Sequence, residues 1–172
     1  PPPRENDSGI KGPYPCGSRG FFAAGDAVTT LKPGRQILEI TETVPHNGAP
    51  MRIAISRNND DGYDNSVLIT HIPHLNNSGL QPPYTLKFVV DIPNINCAKC
   101  SLQAISIMTD KIAQDTCCPY PSSAANQCNS VYHTCANVII NGTGSMLPSS
   151  PSLPNVWTQE RAAWTSIGTT TN

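Results

Sequence analysis

Charge is scarce in this chain. Acidic and basic residues make up only 13% of its 172 positions, and they nearly cancel to a formal net charge of −1. No cluster of lysine and arginine stands anywhere along it, so no nucleic-acid partner is expected. Long apolar runs are missing as well. No segment approaches the roughly twenty apolar residues that a spanning helix needs, and no membrane partner is expected either. Phosphate-cradling glycine loops, the dinucleotide fingerprint and the G-x-S-x-G nucleophile elbow are absent, which removes the commonest nucleotide and esterase chemistries. The opening PPPR has no apolar leader, and the chain reads as a mature secreted form.

Turn formers are plentiful instead. Seventeen prolines and twelve glycines are spread through the chain, a load that interrupts helices and favours short strands joined by turns. Seven cysteines point to an oxidising, extracellular compartment. The sequons at Asn6 (NDS), Asn76 (NNS) and Asn141 (NGT) agree, each in polar, turn-like sequence suited to an N-glycan.

Strand patterns follow one another from residue 27 onward. Residues 27–31 and 35–44 are separated by Lys32-Pro33-Gly34; Leu38 and Ile40 share one face of the second strand, and Ile37 and Glu39 the other. MRIAIS (51–56) reads as a half-buried strand. VLITHI (67–72), YTLKFVVDI (84–92), SLQAISIMTD after Cys97 and Cys100, and VYHTCANVII (131–140) complete the set. Short strands with turns about every eight to twelve residues are the mark of a β-sandwich. The expected fold is therefore all-β, with long loops pinned by disulfides. The sandwich domain is expected over residues 1–140, followed by a Ser/Thr/Pro-rich tail over 141–172.

Two polar groups invite a metal. Asp60, Asp61 and Asp64 cluster in RNNDDGYDNS, but their spacing fits no calcium loop and matches ordinary turn chemistry. His46, in the tight loop between two strands of TVPHNGAPMRIAIS, is either a solvent-exposed turn residue or a metal ligand, imidazole being the commonest one.

PPPRENDSGIKGPYPCG, TVPHNGAPMRIAIS, NNDDGYDNSVLI, DIPNINCAKCSLQAISIMTD and VYHTCANVII, in that order, resemble a lytic polysaccharide monooxygenase over roughly residues 1–140. The resemblance implies an immunoglobulin-like or fibronectin-III-like β-sandwich. It also implies one copper held between two histidines, and oxidation of glycosidic bonds in a polysaccharide. His46 resembles the second histidine of that brace, and Tyr132 the aromatic residue axial to copper. His71 and His133 match no ligand position and are expected to face outward from their strands. The first brace histidine is an amino-terminal residue whose free amine is itself a ligand, whereas this chain begins at Pro1. The copper site is thus expected to be complete only where a histidine precedes Pro1, and the chain starting at Pro1 is expected to bind copper weakly.

Three disulfides and one remaining thiol are expected. Cys16 pairs best with Cys135, and Cys97 and Cys100 bond within or close to their own turn. Cys117, Cys118 and Cys128 pin the long loop among themselves or to that turn, since sequence alone leaves connectivity open. In the tail, a short helix over VWTQERAAW would put Trp157 and Trp164 on one face. That face docks either on its own sandwich or on a neighbouring copy. The second option gives an alternative function, a catalytically inactive protein that self-assembles into a homo-oligomer or extracellular filament.

Overall fold

The computed structural model describes residues 1–4, 15–17, 25–44, 51–57, 60–72, 83–107 and 131–147. Seven strands run through them: β1 (Val28–Leu31), β2 (Gly34–Glu42), β3 (Met51–Ser56), β4 (Val67–Ile72), β5 (Tyr84–Ile92), β6 (Asn96–Ile107) and β7 (Val131–Asn141). A single 3-10 turn, Tyr63–Asn65, interrupts the strand sequence among the described residues. Gly34, at φ 94°, opens β2 in a conformation that L residues rarely adopt.

The strands form two sheets, one of five in the order β1-β7-β6-β3-β4 and one of two, β2-β5. Strands β3, β6 and β7 share one sheet while β2 and β5 form the other, which is the partition of an immunoglobulin-type sandwich. Neighbours pair antiparallel except β1, which lies parallel to β7 with Leu31 opposite Ile140.

One apolar core fills the space between the sheets. Leu38, Val90 and Ile92 from the small sheet meet Ile53, Ile55, Leu102, Val138 and Ile140 from the large one. Alternation explains the choice, because every second residue of each strand points inward. Leu38 is buried and its neighbour Ile37 is 68% exposed. Cys97 and Cys100 join the core as a disulfide across an irregularity in the β6–β7 register.

One expectation needs correction. MRIAIS is not half-buried, because all six residues of β3 are buried. Its second face, carrying Arg52, Ala54 and Ser56, lies beneath other chain segments. Residues after 140 also make contacts with the sandwich. Gly142 and Gly144 donate to the carbonyls of Ile95 and Asn94, Gly144 accepts from Asn96, and Leu147 packs against the core.

Candidate functional site

The face of the large sheet turned away from the core is polar, yet it is buried. Arg52 of β3, Ser101 and Gln103 of β6, and His133 and Asn137 of β7 are each 7% exposed or less. An amino-terminal segment, represented by Arg4 and 15–17, and the turn 60–66 lie over it.

Arg4 is the centre of this layer. Its backbone N–H donates to the Cys135 carbonyl at 2.7 Å. Its guanidinium donates through Nη1 and Nη2 to both carboxylate oxygens of Asp60, at 2.5 and 2.9 Å, and through Nε to Asn137 Oδ1 at 2.6 Å. The two side chains are 2% and 4% exposed. A bidentate fork of this kind satisfies both charges where water cannot.

Asp60 holds its position in the left-handed region, at φ 57°. It also accepts from the Tyr63 hydroxyl at 2.9 Å and the Ser101 hydroxyl at 2.7 Å. Burial pushes its carboxyl up, but bonds from Arg4, Ser101 and Tyr63, together with the Arg4 charge, outweigh burial and hold it below the ordinary value. Burial first, then the Asp60 charge, raises the Tyr63 phenol well above its usual range. Asp60 is therefore the anion of the cluster and Tyr63 stays a neutral donor.

The surrounding residues extend the layer. Arg52 donates to Gln103 Oε1 at 2.9 Å and to Asp64 at 3.1 Å, and Gln103 donates onward to the Pro15 carbonyl at 2.7 Å. Asn137 donates to Asp26 at 3.2 Å. Cys16 is bonded to Cys135, as expected, which staples the segment onto β7. Of the three aspartates weighed for calcium, Asp60 is engaged with Arg4 and Asp64 with Arg52, while exposed Asp61 accepts from the Gly62 N–H in its own turn.

His133 points away from the core, but it is covered rather than open to solvent. It is 7% exposed, its Nδ1 accepts from the Gly17 N–H at 3.2 Å, and burial holds its pKa down to about 4. The physical reason is the segment laid over β7, which converts an outer strand face into an inner one.

Metal-ligating atoms converge once among the described residues, at Cys16, Asp60 and Cys135. That donor set does not fit copper. A sulfur bonded to another sulfur is not a thiolate, and the carboxylate already holds a guanidinium. His46, Asn6, Asn76, Cys117, Cys118, Cys128, Trp157 and Trp164 lie outside the described residues, as does the side chain of His71. Asn141 is exposed at the end of β7.

Tyr132 is half-buried and stands opposite Ser106 on β6, which in turn stands opposite Met51 on β3. The row Tyr132–Ser106–Met51 therefore crosses three strands at one end of the large sheet. Met51 opens β3 at that same end, five positions after His46 in the sequence. Aspartates spaced as turn residues gave no hint of the ion pairs that Asp60 and Asp64 make. The available signal was polar residues alternating in three strands, at Arg52, Gln103, Ser101 and Asn137.

No protein-family model and no curated protein matches the chain. Three of the solved structures similar to it illustrate the likeness. One is a lytic polysaccharide monooxygenase from Jonesia denitrificans, at 17% identity over 67% of this chain and 58% of that one, with a TM-score of 0.36. A glycoside hydrolase family 61 member from Hypocrea jecorina matches at 15% identity over 76% and 59%, with a TM-score of 0.43. The extended catalytic domain of a lytic polysaccharide monooxygenase from H. jecorina matches at 18% identity over 74% and 53%, with a TM-score of 0.36. The chain spans 53–59% of the length of these structures.

Proposed function

We propose that this chain is the sandwich of a secreted, copper-dependent enzyme that oxidises a polysaccharide. In this reading His46 and an amino-terminal histidine ahead of Pro1 hold the metal, and Tyr132 lies beside it. The supporting observation is the row Tyr132–Ser106–Met51, which gathers the aromatic residue and the start of β3, five positions after His46, at one end of the sheet. Strands lie about 4.8 Å apart, so Tyr132 and Met51 stand about 10 Å apart. The five residues back to His46 reach that distance easily at roughly 3.3 Å each.

The anchored amino-terminal segment supports the same reading. Arg4 is held at Cys135, three positions along β7 from Tyr132. A ligand carried by a chain terminus needs its approach held rigidly, and the Arg4–Asp60 pair with the Cys16–Cys135 bridge supplies that hold. Motif stretches that carried the family resemblance contribute Arg4, Cys16, Asp60, Tyr63, Ser101 and Asn137 to one buried layer. Oxygen or peroxide would be the oxidant, bound copper would activate it toward a strong C–H bond, and the protein supplies the geometry.

The test is copper(II) titration of mature secreted protein, with its amino-terminal residue read by mass spectrometry. Binding is expected to be tight and equimolar where a histidine leads the chain, and to weaken at least about a hundredfold in His46→Ala, since a lost ligand removes a large share of chelation. Oxidised oligosaccharides should appear when polysaccharide, a reductant and oxygen or peroxide are supplied. Tight equimolar binding that His46→Ala leaves unchanged overturns the assignment.

A further inference from the structure

The outer face of the small sheet carries a second pattern, independent of the metal reading. Four cross-strand rows point to solvent there: Arg35 opposite Asp91, Ile37 opposite Val89, Glu39 opposite Lys87, and Thr41 opposite Thr85. Arg35 and Asp91 approach to 3.5 Å with side chains 77% and 72% exposed; Lys87 and Glu39 approach to 2.7 Å at 66% and 53%. Between the two ion pairs sit two β-branched side chains, Ile37 at 68% and Val89 at 50% exposure.

The signs of the two pairs are crossed. The base is on β2 in the first row and on β5 in the third, so like charges lie on diagonals around an apolar centre. Cross-strand pairing within one molecule does not require this. Two bases on β2 facing two acids on β5 would pair equally well.

Crossing the signs makes the face complementary to itself. Consider a second copy stacked on it through a two-fold axis lying in the plane of the face. With the axis along the strands, Arg35 meets the second copy's Asp91, and Glu39 meets its Lys87. With the axis across the strands, Arg35 meets the second copy's Glu39, and Asp91 meets its Lys87. Opposite charges face each other in either case; Ile37 meets the second copy's Val89 with the axis along the strands, and Ile37 and Val89 meet their own counterparts with the axis across them. Both arrangements keep strand directions aligned, as in ordinary sheet-on-sheet packing.

We infer that the outer face of β2 and β5 is an isologous docking surface for a second copy of this chain. The apolar centre supplies burial, and the four charges around it set register and exclude unlike partners. Two strands of this length offer a face of about 300 Å². That is less than half the roughly 800 Å² per partner of a stable complex, so the dimer is a weak one, half formed at roughly 0.1–1 mM. Salt weakens it, because the ring of charges stays close to solvent.

Sedimentation velocity of the full secreted chain between 0.01 and 1 mM tests this, using three proteins that do not alter the core. In one variant Arg35→Glu and Lys87→Glu make the four charges uniformly acidic. In a second, Asp91→Lys and Glu39→Lys make them uniformly basic. Ile37→Ser removes half of the apolar centre. The native chain should dimerise, each charge variant alone should stay monomeric at 1 mM, and an equimolar mixture of the two should associate whichever axis is used. Ile37→Ser should weaken the native dimer at least fivefold. The mixture also controls for folding, since only intact faces can recombine. A native chain that is monomeric at 1 mM overturns the inference. So does association that survives in the charge variants, or a mixture that fails to associate.

Discussion

Arg4 and Asp60 show what a single residue does in this fold. Both are almost fully removed from water, and each is the other's counter-charge. Breaking such a pair from one side leaves an uncompensated buried charge. Asp60→Asn is therefore expected to destabilise the protein by about 3–5 kcal/mol, read as a lowered denaturant midpoint. Tyr63→Phe removes one donor to the same carboxylate and is expected to cost less, about 1–3 kcal/mol. His133 acts through pH. Above about 6.5 its imidazole is neutral in the folded and unfolded chain alike. Between 6.5 and about 4 the unfolded chain takes up a proton that the folded one refuses. Stability therefore falls as pH falls through that window, by about 3 kcal/mol at most, and no further below it. His133→Gln keeps an acceptor for the Gly17 N–H but does not titrate. Urea midpoints measured from pH 7 to 4 should be flatter in this variant than in the native chain. Equal slopes would show that other groups carry the acid response.

At the scale of elements, two devices close the sandwich. The first is the bridge from Cys16 to Cys135, spanning 119 positions. Closing so long a loop restricts the unfolded chain strongly, and replacing both cysteines with serine should cost about 3–5 kcal/mol. The same change should expose the bonds around Pro15 to protease in native buffer, while β2–β5 stays protected. The second device is the tight crossing of Asn141–Gly144 over Asn94–Ile95. A Cβ at Gly144 would run into the Asn94 carbonyl oxygen, and one at Gly142 into the backbone of Ile95. Gly144→Ala must therefore shift one backbone against another, with an expected loss of about 1–3 kcal/mol in thermal or urea unfolding. These glycines looked like tail residues in the sequence because nothing local marks a close approach between distant backbones.

At the scale of the whole molecule, the described residues form two sheets and a third, polar layer. The large sheet is covered on one side by the core and on the other by Arg4, residues 15–17 and the turn 60–66. No described helix is long and apolar enough to cross a membrane. Two disulfides among the described residues accord with an oxidising compartment. Exposed Asn141, with Asn6 and Asn76, is expected to carry N-glycan in secreted material. Enzymatic deglycosylation should then lower the intact mass, and an unchanged mass would remove these sites.

Local periodicity located the seven strands, six of them within a residue or two at the ends; β6 begins at Asn96, five residues before the expected SLQAISIMTD, because the Cys97–Cys100 turn is part of the strand. Period-two burial is a property of each strand alone, and proline and glycine mark where strands stop. Leu38, Val90 and Leu102 were legible as core for that reason, and so was the all-β class. The pairing of Cys16 with Cys135 was legible only beside a family resemblance, because seven cysteines by themselves leave many connectivities open. Tertiary structure alone decided the second face of the large sheet. His133 was expected to face outward, and nothing local showed that Arg52, Gln103 and Asn137 beside it would be covered, since alternation says which side of a strand a residue takes but not what covers that side. Covering it took Arg4 and Cys16, more than a hundred positions from β7. Asp60 likewise reads as a turn aspartate, and only the arrival of Arg4 makes it the anion of a buried pair. The crossed charges of β2 and β5 depend on register between strands about fifty residues apart, and no window along the chain contains both rows. Contacts between segments distant in sequence are set by the packed whole, and this polar layer is built from them.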